Sequence, residues 1–302
     1  MAVLVFDIGG TKTAYAKVNT YDDIEDFNMV ETRTIYNNVE DFLVNIINKF
    51  LLKNSDIEGV AIGIPGTVDY IDNKIISCPN VSVLDGLNLS KLIGEKVGIP
   101  LIVSRDVNFS ILAEHIKGSA KDVMNALGIF VGTGLGASIL INGKIFLGSH
   151  GVAAELGHIY YPKGENKVCQ CGNIDCVELY ASGKSLKEKS ILFRNKFNKK
   201  ISEKDYFIYK DPEWQKEIYS FIEALSFSIS TFVNLIDPEV VVIGGGVSKA
   251  NGFPWEVIIN KTKEKLRKPL PYRKVSFREA KMDYKESLIG GYSFFHQILK
   301  NQ

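Results

Sequence analysis

The chain has 302 residues, 45% of them apolar and 24% charged, with a formal net charge of +1. That length is enough for two domains, the composition is ordinary for a soluble globular fold, and the near-neutral charge gives nucleic acid or an anionic membrane no electrostatic reason to bind. The apolar start at residues 2–6 runs straight into Asp7 with no basic region before it and is too short for the apolar core of a secretory leader, so none is expected; no apolar run approaches the roughly 20 residues of a membrane span, and a cytoplasmic protein is expected.

Residues 2–6 read as a buried strand leading into the glycine turn Asp7-Ile8-Gly9-Gly10-Thr11. Ala14, Ala16 and Val18 then alternate with polar neighbours, the period of a second strand. Residues 39–53 carry a helical stripe of Phe42, Ile46 and Phe50, and 60–64 form a strand ending in Pro65-Gly66. A short helix is expected over 89–97, a strand over 101–103, and a helix from Asp106 to about Lys117. Residues 126–131 repeat the opening theme, running into Gly132-Thr133-Gly134-Leu135-Gly136 and a strand with Ile139 and Ile141 on one face. Residues 194–211 are polar and read as a connector. A long helix starts at Asp211-Pro212, with Trp214, Ile218, Phe221, Leu225 and Phe232 facing inward, and ends at Asp237-Pro238. A strand over 240–243 opens into Gly244-Gly245-Gly246; a helix over 255–268, a strand over 275–278 and a helix over 286–300 complete the chain. The alternation predicts an α/β protein of two related domains with a cleft between them. The first would span 1–117 and be completed by 288–302; the second, 118–287, would carry the cysteine cluster.

Both glycine turns join strands, so neither is the strand-to-helix loop of a P-loop or dinucleotide fold. Glycines still let backbone N–H groups approach an anion, and Thr11 and Thr133 add hydroxyls. A single such turn says little, but the same turn in two similar halves says much more.

Cys169, Cys171 and Cys176 follow closely on His158, and three thiolates with one imidazole make a closed, structural zinc set. A disulfide is the weaker reading in a chain of intracellular character. A nucleic-acid zinc knuckle has neither the spacing nor a basic surround. Cys78 stands alone as an ordinary buried thiol. Glu155 and Glu178 flank the cluster without being needed by the metal, which suggests a loop held in place to bind hydroxyl groups. A zinc on one nitrogen of His158 would aim the other at such a hydroxyl. Asp106 is either a plain helix-capping aspartate or a general base; the helix N-terminus and Arg105 should depress its pKa, which phosphoryl transfer tolerates. Asp7 either satisfies its own turn or holds Mg²⁺ through water. Gly244–Gly246 would let a flat base or ribose lie on the backbone.

Asp7-Ile8-Gly9-Gly10-Thr11, Gly132-Thr133-Gly134, Glu155-x-x-His158 and Cys169-x-Cys171-Gly172-x-x-x-Cys176-x-Glu178 together resemble the ROK family of sugar kinases and sugar-sensing repressors, over essentially the whole chain. The resemblance implies an actin-like, hexokinase-type (ribonuclease H-like) fold with a zinc-stabilised loop, a homodimer, and ATP-dependent phosphorylation of a hexose at O6. On the matching positions it implies Asp106 as base; Glu155, His158 and Glu178 at the sugar, with Asn80 and Asn108 as further candidates; and His158, Cys169, Cys171 and Cys176 at zinc, while Arg105, beside the base, is a candidate for reading a sugar hydroxyl on its own account. Asp7, Gly9, Gly10, Thr11, Lys12, Gly132, Thr133 and Gly134 would meet the phosphates and Mg²⁺, and Gly244, Gly245 and Gly246 the adenosine. Two positions depart from the family pattern. Asp175 stands where glycine is usual, and Arg105 where most glucose and N-acetylmannosamine kinases have asparagine. Ser104–Asn108, Ser149–Ala153 and Leu266–Pro271 resemble the D-allose-phosphorylating branch, so D-allose is the expected sugar, with glucose or an N-acetylhexosamine as the alternative. A repressor of the family would carry a helix-turn-helix segment before the first glycine turn; here the first strand begins at once, and a kinase is expected.

Overall fold

The computed structural model describes residues 2–299. Its elements, in chain order, are β1 (Ala2–Ile8), β2 (Lys12–Thr20), β3 (Asp23–Glu31), α1 (Val39–Lys53), β4 (Ile57–Ile64), β5 (Thr67–Asp69), β6 (Lys74–Ser77), α2 (Glu95–Val97), β7 (Leu101–Arg105), α3 (Asp106–Ile116), β8 (Ala126–Val131), β9 (Leu135–Ile141), β10 (Lys144–Ile145), α4 (Gly183–Phe197), α5 (Pro212–Ile236), β11 (Val240–Gly244), α6 (Trp255–Glu264), β12 (Ser276–Glu279) and α7 (Tyr284–Leu299). The chain divides into two compact units. One holds the residues up to Asp122, Ile139–Ala153 and those from Lys281 on; the other holds Val123–Ser138 and Ala154–Ala280. The break at Asp122 falls a little beyond the expected boundary at Lys117, and the first unit reclaims a segment around β10 that no compositional shift marks. The expected reach of the last helix to Lys300, and of its domain to 302, lies outside the described residues.

The repeat seen in the sequence is a repeat of topology. One five-stranded sheet runs β3-β2-β1-β4-β7 and the other β10-β9-β8-β11-β12. In the first, β1 pairs antiparallel with β2 and parallel with β4, which pairs parallel with β7. In the second, β8 pairs parallel with β11, and β11 parallel with β12. Each central strand is buried on both faces, which explains the unbroken apolar runs Ala2–Phe6 and Ala126–Val131 in place of alternation.

In the first unit, Leu4, Phe6 and Ile8 of β1 pack with Leu43 and Ile47 of α1 in one apolar cluster. The inward stripe of α1 is Val39, Leu43, Ile47 and Phe50; Phe42 and Ile46, expected to lead it, are half-buried at its margin. The helix starts where Asn38 Oδ1 accepts the Asp41 amide at 3.0 Å. Residues 90–94 make a wide helical turn before α2, so the expected helix over 89–97 is present but irregular. Helices α3 and α7 cross at near contact, because a Cβ at Gly290 would run into the Phe109 carbonyl. Glu114, 1% exposed, takes the Ser119 amide at 2.6 Å and those of Lys281 and Met282 at 2.7 Å each, tying the lead-in of α7 to the end of α3. No sequence pattern announced that carboxylate.

In the second unit, α5 supplies Trp214, Ile218, Phe221 and Leu225 to the core; Phe232 is only half-buried, and Val233 takes the inner position. Length and composition alone would let α5 cross a bilayer, but charged and polar residues interrupt its apolar side chains, and its buried side is the core of this unit, with Trp214 Nε1 donating to the Tyr206 carbonyl at 2.7 Å. Helix α4 was not expected, and its end occupies the start of the supposed connector over 194–211. Its sequence is mostly lysine and other polar residues, so only Leu186 and Phe193 mark an apolar side. Helix α6 stops at Glu264, short of the expected Lys268, in a segment that runs on to Pro269 and Pro271. Strand β3 was also missed, being an edge strand with no buried residue.

Candidate functional site

The expected site residues fall into two sets, one in each unit. In the first unit, Asp7 lies near the end of β1, just before the turn Gly9–Lys12. The Gly9 amide donates to the Lys12 carbonyl at 2.9 Å, closing that turn. Thr32 holds the turn from outside, its hydroxyl donating to the Gly9 carbonyl at 2.6 Å and its amide to the Thr11 carbonyl at 2.9 Å. Gly10, Thr11 and Lys12 are left exposed, free to meet a ligand. Asn80 lies against this turn: a Cβ on Gly10 would sit 3.2 Å from that of Asn80.

Asp7 is 8% exposed, and Ser287 of α7 donates its hydroxyl to Asp7 Oδ2 at 2.9 Å. Burial pushes the Asp7 pKa up to about 6, against the lowering effect of that hydrogen bond. A buried carboxylate strained toward its neutral form in this way fits a cation as its partner.

Asp106 is the first residue of α3, with Arg105 in the capping position and the Val107 amide donating to Asp106 Oδ1 at 2.8 Å. Its pKa is raised to about 7, first by burial and then by the charge of Asp7; the Val107 amide and Arg105 lower it only in part. This corrects the expected depression: a helix N-terminus and one guanidinium do not outweigh lost hydration plus a second carboxylate. The result is an acid poised near neutral pH, better suited to accept a proton than the sequence suggested.

Arg105 is 6% exposed, and its guanidinium donates to the Ala153 carbonyl at 2.8 Å. It therefore grips the backbone two residues before Glu155. Asn108, 3% exposed, directs its amide at Ser104 Oγ, 3.1 Å away, and at the Tyr70 hydroxyl, 3.4 Å away. Tyr70 and Ser104 are themselves 3.1 Å apart, and a Cβ on Gly151 would strike the Tyr70 ring. Tyr70, Ser104, Thr32 and Ser287 were all missed as site supports. Hydroxyls at these positions carry no local signal, since the contacts that place them in the site, such as Ser104 with Tyr70, Thr32 with Gly9 and Ser287 with Asp7, lie far apart in sequence. Cys78 is fully buried, its thiol pushed up to about 12 by burial and by the charges of Asp106 and Asp85, which fits the inert role expected of it.

In the second unit, the turn Gly132–Gly134 is held differently. The amides that open α4, from Gly183 and Lys184, donate to the Gly132 and Thr133 carbonyls at 2.8 and 2.9 Å. Gly245 (φ +95°) packs on the backbone of Val131, an approach no side chain would allow. The run Gly244–Gly246 is thus adjacent to the second glycine turn. Glu178 Oε2 accepts the Leu135 amide at 2.8 Å, tying the cysteine segment to the same turn.

His158, Cys169, Cys171 and Cys176 come together as expected, their ligand atoms all within 4.8 Å of one another. The separations Cys171 Sγ–Cys176 Sγ and Cys169 Sγ–His158 Nδ1 are both 3.6 Å. Ligands at about 2.0 and 2.3 Å from a tetrahedral zinc would stand roughly that far apart, so the set fits the ion. All four cysteines are free thiols, against the disulfide reading. His158 turns Nδ1 to the thiols and Nε2 toward Glu155 Oε2 at 3.8 Å, an order of partners that would fix the ring's tautomer on metal binding.

The ROK family model matches residues 3–298, and the chain belongs to the ROK family. It is 30% identical over 257 residues to an N-acetyl-D-glucosamine kinase of Mannheimia succiniciproducens, covering 80% of this chain and 83% of that one. It is 30% identical over 264 residues to a glucokinase of Halalkalibacterium halodurans, covering 81% and 80%. Among solved structures, the ROK hexokinase from Thermus thermophilus superposes with a TM-score of 0.83 at 24% identity over 100% of both chains. The fold is therefore the hexokinase type, with its paired mixed α/β sheets.

Proposed function

We propose that this protein is a sugar kinase that transfers the γ-phosphoryl group of ATP to O6 of a hexose. The observation that carries the reading is Asp106, a carboxylate at the start of α3, directly after β7, whose pKa is raised to about 7 beside the buried Asp7. Asp106 takes the O6 proton as the O6–phosphorus bond forms; the bond from the γ-phosphorus to the bridging oxygen breaks, and its electron pair leaves on ADP. The transition state of such a transfer is loose, so the residues' main task is alignment and charge stabilisation. Asp7, oriented by Ser287, holds Mg²⁺, which neutralises phosphate charge when bound. Gly9, Gly10, Thr11 and Lys12, with Gly132, Thr133 and Gly134, offer amides and hydroxyls to phosphate; Gly244, Gly245 and Gly246 offer a bare backbone to adenosine. Glu155, His158 and Glu178 receive sugar hydroxyls, and zinc on His158, Cys169, Cys171 and Cys176 keeps their loop in place. Asn80 and Asn108 complete the sugar contacts. A homodimer working in the cytoplasm, with no nucleic-acid or membrane partner, completes the proposal.

D-allose is the sugar proposed, on the strength of Arg105 and the Ser104–Asn108 segment; glucose and N-acetylglucosamine, named for the relatives above, are the competing arms. The grip of Arg105 on the Ala153 carbonyl supports selection through loop position. A site shaped for one hydroxyl arrangement leaves polar groups unpaired when an epimer binds, at a cost of a few kcal/mol. ADP release should be measured on allose, glucose, N-acetylglucosamine and N-acetylmannosamine. The highest kcat/KM is expected on allose, and Arg105→Asn should shrink the allose-to-glucose ratio about tenfold. A wild-type preference for glucose or an N-acetylated sugar overturns the allose assignment, and no ADP release on any hexose overturns the kinase.

A further inference from the structure

Asp175 stands directly before Cys176, at φ +49°, a left-handed conformation that favours glycine. Its side chain is fully buried, and its carboxylate is crowded with donors. Oδ2 accepts the Asn166 amide at 2.9 Å; Oδ1 accepts the Lys167 amide at 3.0 Å and the Tyr180 hydroxyl at 2.6 Å. The backbone repeats the connection: the Asp175 amide donates to the Lys167 carbonyl, and the Tyr161 amide to the Asp175 carbonyl, both at 2.8 Å. One carboxylate thus ties the chain just before the Cys169–Cys176 hairpin to the tyrosine just after it. Tyr180 is anchored in turn, its ring 5.3 Å from that of Tyr161, which lies 5.3 Å from Phe227 of α5. Lys167 Nζ lies 4.9 Å from the centre of the Tyr180 ring. None of these bonds uses a metal-ligating atom, and the hairpin closes on itself through the Cys169 amide to the Asn173 carbonyl at 2.8 Å.

We propose that Asp175 is a positioning residue that folds the cysteine hairpin into its metal-holding shape before metal binds, so that zinc closes a preformed site instead of creating one. A glycine at this position would relieve the backbone but could make none of the three side-chain bonds. The aspartate accepts the less favourable backbone and holds both ends of the hairpin in return. Zinc exchange would then be a local event, with the His158–Glu155 orientation surviving loss of the ion. The proposal rests on the zinc reading above, and its test is arranged to separate the two.

The full-length protein, stripped of metal by a chelator, should be followed by amide hydrogen exchange over residues 160–180. In the wild type, the Asn166 and Lys167 amides should stay protected without metal. Asp175→Asn and Asp175→Gly should each lose at least tenfold of that protection, and Tyr180→Phe a smaller part. Release of zinc from the loaded protein to a coloured chelator should be at least tenfold faster in Asp175→Asn, with the helix content of the protein unchanged. The same protection in wild type and Asp175→Asn, or an unprotected hairpin in the stripped wild type, would overturn the proposal. A wild type that neither carries nor takes up zinc would overturn the zinc reading, while the exchange comparison in metal-free protein still decides what Asp175 does.

Discussion

Asp106, half-buried at a strand-to-helix junction in the first unit, and Asp175, fully buried at a left-handed turn in the second, have carboxyls pushed in opposite directions. Asp106 accepts one neighbouring amide and faces a second carboxylate, and it rises to about 7. Asp175 accepts two amides and a hydroxyl, and it is held below the usual carboxylate range, chiefly by the Tyr180 hydrogen bond. Burial alone does not set the outcome, since it raises both. The supply of donors does. A carboxylate given donors is spent on shape; one denied them keeps its capacity to take a proton.

The hardest test of that contrast is Asp106→Asn, which preserves size and removes proton acceptance. Turnover should fall by roughly a hundredfold or more, with sugar KM changed far less. In the wild type, kcat/KM should decline as pH falls below about 7, because protonated Asp106 cannot act as base. A near-normal rate in the mutant, or a flat profile between pH 5 and 8, would remove Asp106 from the mechanism.

Breaking the shape-holding side should cost binding instead of chemistry. Wild-type protein should contain about one zinc per chain, and Cys171→Ser should lose it and raise the sugar KM by about tenfold or more. Full affinity in metal-free Cys171→Ser would show that the loop needs no ion.

A milder perturbation is Ser287→Ala. The hydroxyl orients Asp7 from α7, so its loss should raise the Mg²⁺ concentration needed for half-maximal rate by several-fold and leave the sugar KM unchanged. An unaltered Mg²⁺ requirement would reduce Ser287 to a helix-packing residue.

The smallest effect is on stability, and its sign separates the two aspartates. A folded pKa above the unfolded value means that the native state binds more protons, so stability falls as pH rises from about 4 through 7. Asp106→Asn should then raise Tm at pH 8, by a few degrees for a gain on the order of 1–2 kcal/mol, and give no gain below pH 4. Asp175 has the opposite linkage: its contribution is present above the ordinary carboxylate pKa and lost as pH falls through its depressed folded value. Asp175→Asn should lower Tm at pH 8, with the deficit shrinking in acid. Calorimetry of the two variants across pH checks both signs; a shift of the same sign for both would break the comparison.

The sequence by itself determined much of this protein. The doubled strand–turn–strand theme, the buried runs of β1 and β8 and the spacing of His158 with three cysteines are local patterns, and local patterns survive being read one residue after another. The bounds of α1 and the start of α5 at Asp211-Pro212 were legible for the same reason, since caps and stripes are written within a few positions. Strand β3 and helix α4 were not legible, because their residues are polar or mostly exposed and only pairing or packing partners hold them in place. The chemical character of the site was decided by tertiary structure alone. Asp106 was read as a depressed acid from its neighbours in sequence, whereas its pKa follows from burial and from Asp7, a residue on another strand. Arg105 finds the Ala153 carbonyl, Ser287 finds Asp7, and Thr32 finds the first glycine turn, each across a long stretch of chain. Hydration and charge act through space, so what a carboxylate can do is fixed only when the chain has brought its neighbours to it.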